Sequence, residues 1–543
     1  MIILWCRKNL GFIFIGLLSF YLADGSAQDT LVTSNLPIIS INTAGQVIPD
    51  DERIVVDMGI IYNGEGNQNF INDPFNNYDG KVSIELRGSS SQAYPKKSYS
   101  FETQDENGNN LNVSLIDMPA ENDWVLYAPY CDKSLMRNVL TYDLSNELGQ
   151  YAPRTKYCEL VMNGQYEGVY VLIEKIKHDD NRVNISALEE NDTIGDDLTG
   201  GYIIKIDAFT GGGDGWLSAY NDSMYYQYHY PDYQGILPVQ KEYIQGFIYD
   251  FETIMFGDNY NDSTNGYLDF LDKETLIDFI ISNELAKNVD AYRKSTFMYK
   301  DKNSIDGKLK LGPLWDFNIA YGNAFYLEGY LTTGWVVNSD LYNAGYIPFW
   351  TRKLFNDSSF ADQLKCRWLE LREGPLHLQR IMNKVDSCYN YLYEAQERNF
   401  TRWNILGQEI WPNYYYGDTY EEDIYLLKAW IMGRLEWLDY NMPGNCQIST
   451  SNFDVDKQQS KLIIFPNPAG GSSVWLKIPA ISGLAKLSIF DNVGQSIFSQ
   501  NIAEADGQKL MDLNISGFRN GIYFVRITDS NNTWHQKFIV GKN

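Results

Sequence analysis

The spacing of apolar positions changes several times along this chain. Over residues 36–102, short runs such as Ile54–Ile60 and Lys81–Gly88 lie between turns rich in Gly, Asn and Asp, the pattern of β-strands. Arg137–Leu148 places apolar residues at 139, 140, 144 and 148, a helical spacing, and Cys158–Ile176 returns to strands around Asn163-Gly164. From Lys273, the residues Leu276, Ile277, Ile280, Ile281 and Leu285 mark an amphipathic helix that runs into Asn288-Val289-Asp290. Thr296–Lys300 and Lys308–Leu311 then read as two strands about a turn containing Asp306-Gly307. Residues 350–440 carry Trp350, Trp368, Trp403, Trp411, Trp430 and Trp437 with helical apolar spacing. The fold class expected is α+β, with a β-rich N-terminal part and a helical C-terminal part.

Both ends depart from this domain. Residues 446–460 are polar and aperiodic, as a linker should be. Beyond them, short strands recur at Ile463–Phe465, Val474–Ile478, Ala485–Phe490, Gly521–Ile527 and Lys537–Val540, with turns such as Asp491–Gly494. Residues 461–543 are therefore expected to form a small all-β sandwich. At the other end, Arg7-Lys8, the apolar stretch Leu10–Leu22 and the small residues Gly25-Ser26-Ala27 follow the order of a secretory signal peptide over residues 1–27. That stretch is short for a bilayer span, and no other approaches 18 apolar residues, so the mature chain is expected to have no transmembrane segment. The main domain then covers residues 28–445.

Composition narrows the function. Aromatics reach 15%, with 40 Tyr and 13 Trp, which excludes a generally disordered, collagenous or coiled-coil chain. Seventy Asp and Glu against 44 Lys and Arg give a net charge of −26, a field that repels nucleic acid and anionic membranes. Residues 461–543 differ, with eight Lys and Arg against five Asp and Glu. Five cysteines follow the leader: Cys131, Cys158, Cys366, Cys388 and Cys446. An oxidising compartment favours pairing, and Cys366–Cys388 and Cys131–Cys158 are the preferred pairs because each closes a short segment. No CxxC spacing and only four histidines argue against a Cys/His zinc site.

Two segments of the chain resemble known families. Phe465-Pro466-Asn467-Pro468, Ile489–Gly494, Asn520–Val525 and Lys537–Val540 resemble the C-terminal sorting domain of type IX secretion cargo. That resemblance implies passage through the periplasm and across an outer membrane, with residues 461–543 as the address read by the secretion machinery. Ile84–Tyr99, Asp132–Asn138, Asn163–Glu174, and Asn288–Asp290 with Pro313–Asn318 and Gly322 resemble, in this order, the CotH kinase family of atypical protein kinases. This implies a kinase-like fold that uses ATP with Mg²⁺ or Mn²⁺ to phosphorylate Ser or Thr of a protein at the cell surface or outside the cell.

Phosphoryl transfer needs cations at the phosphates, a metal on hard oxygen donors and a group that orients or deprotonates the acceptor hydroxyl. On the family pattern, Asp290 is the expected catalytic base or hydroxyl positioner, Asp316 the metal ligand, and Asn318 a second oxygen ligand. Lys96 or Lys97 reaches the nucleotide phosphates, with Lys97 slightly preferred. Arg87, which opens a Gly-Ser-Ser-Ser turn, and Arg137 are further phosphate contacts. Glu174 pairs with the lysine or supports the metal. Two departures stand out: Arg293-Lys294-Ser295 where many members have an Asn, and Asn318 where many have a second Asp. The rival expectation is a non-catalytic surface or adhesion protein whose Tyr and Trp residues line a glycan or peptide groove. A glycosidase with paired carboxylates fits the secretion but not the lysine and metal pattern.

Overall fold

Alternating apolar positions in the front third let a sheet curl up and close on itself. The computed structural model describes residues 31–209, 212–340 and 344–446, and 462–540 apart from 466–468, 470–472, 479–480, 482, 492–494, 504–508 and 531. Seven strands, β1 (Ile38–Asn42), β2 (Ile54–Ile61), β3 (Tyr78–Arg87), β4 (Ser98–Gln104), β5 (Asp123–Tyr127), β6 (Thr155–Met162) and β7 (Gln165–Glu174), form a closed barrel in the order β1-β2-β3-β4-β5-β7-β6. Closure is made by parallel pairing of β6 with β1, which sets Ile38 opposite Glu159. The β6–β7 turn uses Asn163 and Gly164 at φ 52° and 77°, the left-handed pair that a two-residue hairpin needs.

Strand β7 explains its own uninterrupted apolar run. Tyr170 and Leu172 point into the barrel with Phe101 and Trp124, whereas Val169, Val171 and Ile173 belong to the core shared with the helices. A strand buried on both faces cannot alternate with polar residues.

A second, antiparallel sheet follows. Its strands are β8 (Tyr202–Asp207), β9 (Gly215–Leu217), β10 (Tyr225–Tyr230), β11 (Thr296–Lys300) and β12 (Leu309–Leu311), in the order β9-β10-β8-β11-β12. Seven α-helices among the described residues complete the first unit: α1 (Arg137–Glu147), α2 (Pro238–Phe256), α3 (Lys273–Ala286), α4 (Phe349–Phe355), α5 (Ser358–Glu373), α6 (Leu378–Arg402) and α7 (Tyr420–Asn441). Side-chain caps start four of them: Asp272 accepts from Thr275 N–H, Asp357 from Phe360 N–H, His377 from Gln379 N–H and Thr419 from Glu422 N–H, each satisfying an amide that the helix leaves unpaired.

Helix α6 docks on the barrel through the ion pairs Arg398–Glu159 and Arg402–Glu167 and through a polar knot. Lys96 Nζ, just before β4, donates to Val169 O at 2.5 Å and to Asn399 Oδ1 at 2.8 Å, and Val169 N–H donates to the same Asn399 oxygen at 3.1 Å. Gly168 makes this approach possible: its φ is +101°, and a Cβ there would sit 2.6 Å from Asn399 Oδ1.

The chain divides into two units at residues 447/448. The second contains two sheets, β13 (Ile463–Phe465), β14 (Ser473–Ile478) and β17 (Lys509–Asn514) in one, and β15 (Ala485–Phe490), β16 (Ser496–Ile502), β18 (Gly521–Thr528) and β19 (Thr533–Val540) in the other. Their inward side chains, among them Leu476, Leu487, Val525 and Phe538, form a separate core. The expected leader at 1–27, nearly all of the 446–460 linker, and residues 466–468 and 492–494 of the sorting motifs lie outside the described residues. Among the described residues no helix is long and apolar enough to cross a membrane.

The cysteine pairing expected from short spacing is corrected. The bond is Cys366–Cys446, 80 residues apart, while Cys131, Cys158 and Cys388 are free. Cys158 lies in the barrel core, Cys131 is buried before α1, and the end of α7 runs back over α5. There Trp368 Nε1 donates to Asp439 at 2.9 Å, Arg372 pairs with Asp439 at 2.9 Å, and Asn445 N–H donates to Asp362 at 2.6 Å, which carries Cys446 to Cys366. Cys446, first counted with the linker, is thereby fastened to the first unit. Non-reducing peptide mapping should recover a Cys366–Cys446 cross-linked peptide and three free thiols. Cys446→Ser should destabilise the first unit in denaturant by about 4 kcal/mol on loop-closure entropy; an unchanged midpoint would contradict this role.

Candidate functional site

Helix α3 ends at Ala286, and Lys287 closes it in the left-handed conformation at φ 43°. Its ammonium donates to the carbonyls of Glu328, Leu331 and Thr333 at 2.7, 3.2 and 2.6 Å, pinning that loop to the helix end. The chain then turns through Asn288, whose Oδ1 accepts from Asp290 N–H at 3.2 Å and whose Nδ2 lies 3.5 Å from Asp316 O. Tyr292 (φ 69°) and Ser295 (φ 48°) carry the turn into β11.

Strand β12 stops at Leu311, and Asp316 lies in the loop beyond it at φ 67°. Left-handed backbone is unfavourable for Asp unless the surroundings enforce it. Here Asp316 N–H donates to the Tyr142 hydroxyl at 3.0 Å, Phe317 N–H to Asn138 Oδ1 at 2.7 Å, and Tyr321 N–H to Ala286 O at 2.8 Å, while Arg137 Nε donates to Ala320 O at 3.0 Å. The loop is thus clamped between α1 and the end of α3.

The carboxylate of Asp316 faces solvent but sits in a recess with protein packed around it. That burial, reinforced by Asp290 and Asp207 and opposed by Arg87 and Lys294, pushes its pKa up to about 6. Arg87, at the end of β3, lies over the Trp315 ring at 5.3 Å. Burial lowers its pKa, with Asp123 and Asp316 acting the other way. Asp290 contacts Arg293 Nη2, and Lys294 Nζ is 3.8 Å from the same Oδ1. Asn318 lies beside the Tyr127 hydroxyl, which burial holds well above its ordinary pKa with Cys131, Asp132 and Asp316 adding to the shift.

The expected residues therefore separate. Asp290, Asp316, Asn318 and Arg87 come to one recess. Lys96 is buried in the knot with Val169 and Asn399, and burial lowers its pKa to about 7. Lys97 is half-buried and donates to Gln92 O at 2.5 Å. Glu174 does not pair with either lysine: it binds Arg154 at 3.0 Å, Arg182 at 3.1 Å and the Tyr151 hydroxyl at 3.3 Å. Arg137 pairs with Asp132 at 2.5 Å at the start of α1. Sequence reasoning missed Tyr127, Asp207 and Tyr326, whose hydroxyl is surrounded by Asp290, Arg293, Cys131 and Asp316. Only Asp207, the last residue of a predictable strand, left a signal.

Among the described residues no three His, Cys, Asp or Glu side chains gather closely enough to cage a metal. The donors present are hard oxygens: the Asp316 carboxylate and the amide oxygen of Asn318, with Asp290 nearby. They suit Mg²⁺ or Mn²⁺, for which one or two carboxylates suffice when substrate phosphates complete the shell.

Comparison with known proteins bears on these residues. Residues 84–438 match the family model described as CotH kinase protein, and residues 463–541 match that of a secretion system C-terminal sorting domain. A stretch of 51 residues, 9% of this chain and 14% of the relative, is 45% identical to the inner spore coat protein H of Bacillus subtilis (strain 168). Another of 153 residues, 25% of this chain and 28% of the relative, is 28% identical to an endo-acting ulvan lyase of Formosa agariphila. The chain spans less than a third of the length of either curated relative.

The raised pKa of Asp316 has a definite sign in stability. The folded state holds this proton more tightly than the unfolded chain, so the contribution is favourable below about pH 4 and is lost as pH rises through about 6. Asp316→Asn should therefore be more stable than wild type at pH 8, by about 1 kcal/mol once solvent screening of the open carboxylate is allowed for. The gap should close on acidification to pH 4. Thermal unfolding of both proteins at the two pH values checks it, and a constant gap would refute it.

Proposed function

We propose, from the premise that this chain belongs to the CotH kinase protein family, that it is an exported, metal-dependent protein kinase that transfers the γ-phosphate of ATP to Ser or Thr of an extracytoplasmic protein. Export itself follows from the sorting domain over residues 463–541, which marks the chain for type IX secretion to the cell surface or beyond.

The observation that carries the kinase reading is the convergence of Asp290 and Asp316 on one recess with the cations Arg87, Arg293 and Lys294. Asp316 and Asn318 would hold Mg²⁺ or Mn²⁺. The bound ion would draw the triphosphate into an acidic domain by neutralising its oxygens. Arg87, stacked on Trp315, offers guanidinium N–H groups to phosphate oxygens. Asp290 orients the acceptor hydroxyl and takes its proton as the hydroxyl oxygen bonds to the γ-phosphorus and ADP leaves. Lys96 stays in its knot and shapes the barrel wall.

A second reading rests on a different observation. Phe325, Trp411, Tyr414, Tyr415 and Tyr416 are exposed, Tyr326 stacks on Trp411 at 6.1 Å, and Tyr330 stacks on Tyr414 at 3.9 Å. Such a wall suits a non-catalytic protein that binds glycan or protein at the cell surface.

Two experiments test these statements. A truncation ending at Gln459 should accumulate in the periplasm, and its normal appearance outside the cell would remove the sorting role. Asp316→Ala should abolish Mn²⁺-dependent ATP binding in calorimetry, whereas Asp290→Ala should keep ATP binding and slow transfer by roughly 10² to 10⁴. Equal ATP affinity in wild type and Asp316→Ala, or no transfer to any protein by wild type, would favour the non-catalytic reading.

A further inference from the structure

Two cations stand three and four residues after Asp290, and both face its carboxylate. Arg293 folds back so that Nη2 contacts Asp290 Oδ1 while Nε lies 3.4 Å from Val289 O. Its side chain is only 16% exposed, and Nη1 has no hydrogen bond among the described residues. Lys294 Nζ, 3.8 Å from the same oxygen, is 43% exposed. The backbone enforces this arrangement: Arg293 N–H and Lys294 N–H both donate to Asp290 O, at 3.4 and 3.1 Å, and Tyr292 and Ser295 on either side are left-handed. The turn therefore delivers two positive charges to the rim that carries Asp290.

Those charges alter what the recess can hold. A site that binds two divalent ions needs oxygen donors for each. Here Asp316 and Asn318 supply one set. Asp290 is already engaged by Arg293 and Lys294, Asp207 is paired with Lys205 at 2.7 Å, and among the described residues no three His, Cys, Asp or Glu side chains gather closely enough to cage a metal. A second divalent ion would meet Arg293 and Lys294 as like charges. A triphosphate would meet them as partners, through the unused Nη1 of Arg293 and the exposed ammonium of Lys294.

Resting on the kinase reading, we propose that Arg293 and Lys294 stand in for a second divalent cation: one metal ion at Asp316 is sufficient, and these side chains supply the remaining neutralisation of the nucleotide phosphates. Arg293 is also a positioning residue for Asp290, because the contact that neutralises one carboxylate oxygen fixes its orientation.

The test uses the full exported chain and the non-hydrolysable analogue AMP-PNP with Mn²⁺. Paramagnetic resonance of bound Mn²⁺ should count one ion per nucleotide-bound chain. Arg293→Ala with Lys294→Ala should weaken AMP-PNP binding at saturating Mn²⁺ about tenfold or more. The charge-preserving Arg293→Lys with Lys294→Arg should return affinity to within about threefold, which excludes a folding defect as the cause. Two Mn²⁺ per nucleotide-bound wild-type chain, or unchanged affinity in the double alanine variant, overturns the proposal and leaves the kinase reading standing. Failure of wild type to bind AMP-PNP at any Mn²⁺ concentration overturns both, so the two failures are distinguishable.

Discussion

The candidate site depends on a buried ion pair that touches none of its residues directly except through Tyr292. Glu284 near the end of α3 and Arg434 of α7 meet at 3.4 Å with side chains 1% and 0% exposed. Burial raises the pKa of Glu284 and lowers that of Arg434 to about 10, so each charge is held only because every group around it is used. Arg434 donates to Glu284 O, Thr332 O and Gly334 O at 2.7, 3.0 and 2.7 Å, and Glu284 accepts from Val336 N–H and Val337 N–H at 2.9 Å and from the Tyr292 hydroxyl at 3.1 Å. A pair this deep contributes little net stability against an apolar replacement, yet losing one partner costs about 3–5 kcal/mol. What it secures is geometry: the loop over residues 328–337, the end of α3 and the turn after Asp290 are held in one arrangement.

From that anchor the site is assembled across separate parts of the chain. The barrel supplies Arg87 from the end of β3, the turn after α3 supplies Asp290, and the loop after β12 supplies Asp316. The junction is made by backbone bonds as much as by side chains, since Tyr321 N–H caps the end of α3 and Tyr142, stacked on Trp315 at 6.2 Å, receives Asp316 N–H. The left-handed residues Lys287, Tyr292, Ser295, Asp316 and Tyr321 fall at these joints. Strained backbone held by neighbours keeps the carboxylates near enough for Asp290 to raise the pKa of Asp316, where side-chain entropy and mutual repulsion would otherwise part them.

How much of this was legible in the sequence follows from the range of each interaction. Helices α1 and α3, the β6–β7 hairpin and the split between a β-rich front and a helical back are written in local periodicity, and the structure places them as read; closure of the front into a barrel was not legible. The two carboxylates were legible through their motifs. Lys96 was not: a Pro-Lys-Lys segment gives no hint that one ammonium will be buried against Asn399, 303 residues away. Glu174 likewise finds Arg154 and Arg182, which only the folded barrel brings together. Short loops suggested the wrong cysteine pairs because spacing along the chain ignores that α7 returns over α5. Tyr127 and Tyr326 carried no sequence signal, since their place at the recess is set by packing alone.

The Cys366–Cys446 bond has a directional consequence. Residue 446 is where the first unit hands the chain on to whatever follows. Any pull, proteolytic nick or fraying that begins downstream meets a covalent stop there and is passed sideways into α5, midway along its length. Helix α7 therefore cannot be peeled away from its C-terminal end one turn at a time, and Arg434, which it carries, is shielded from any disturbance that starts beyond residue 446.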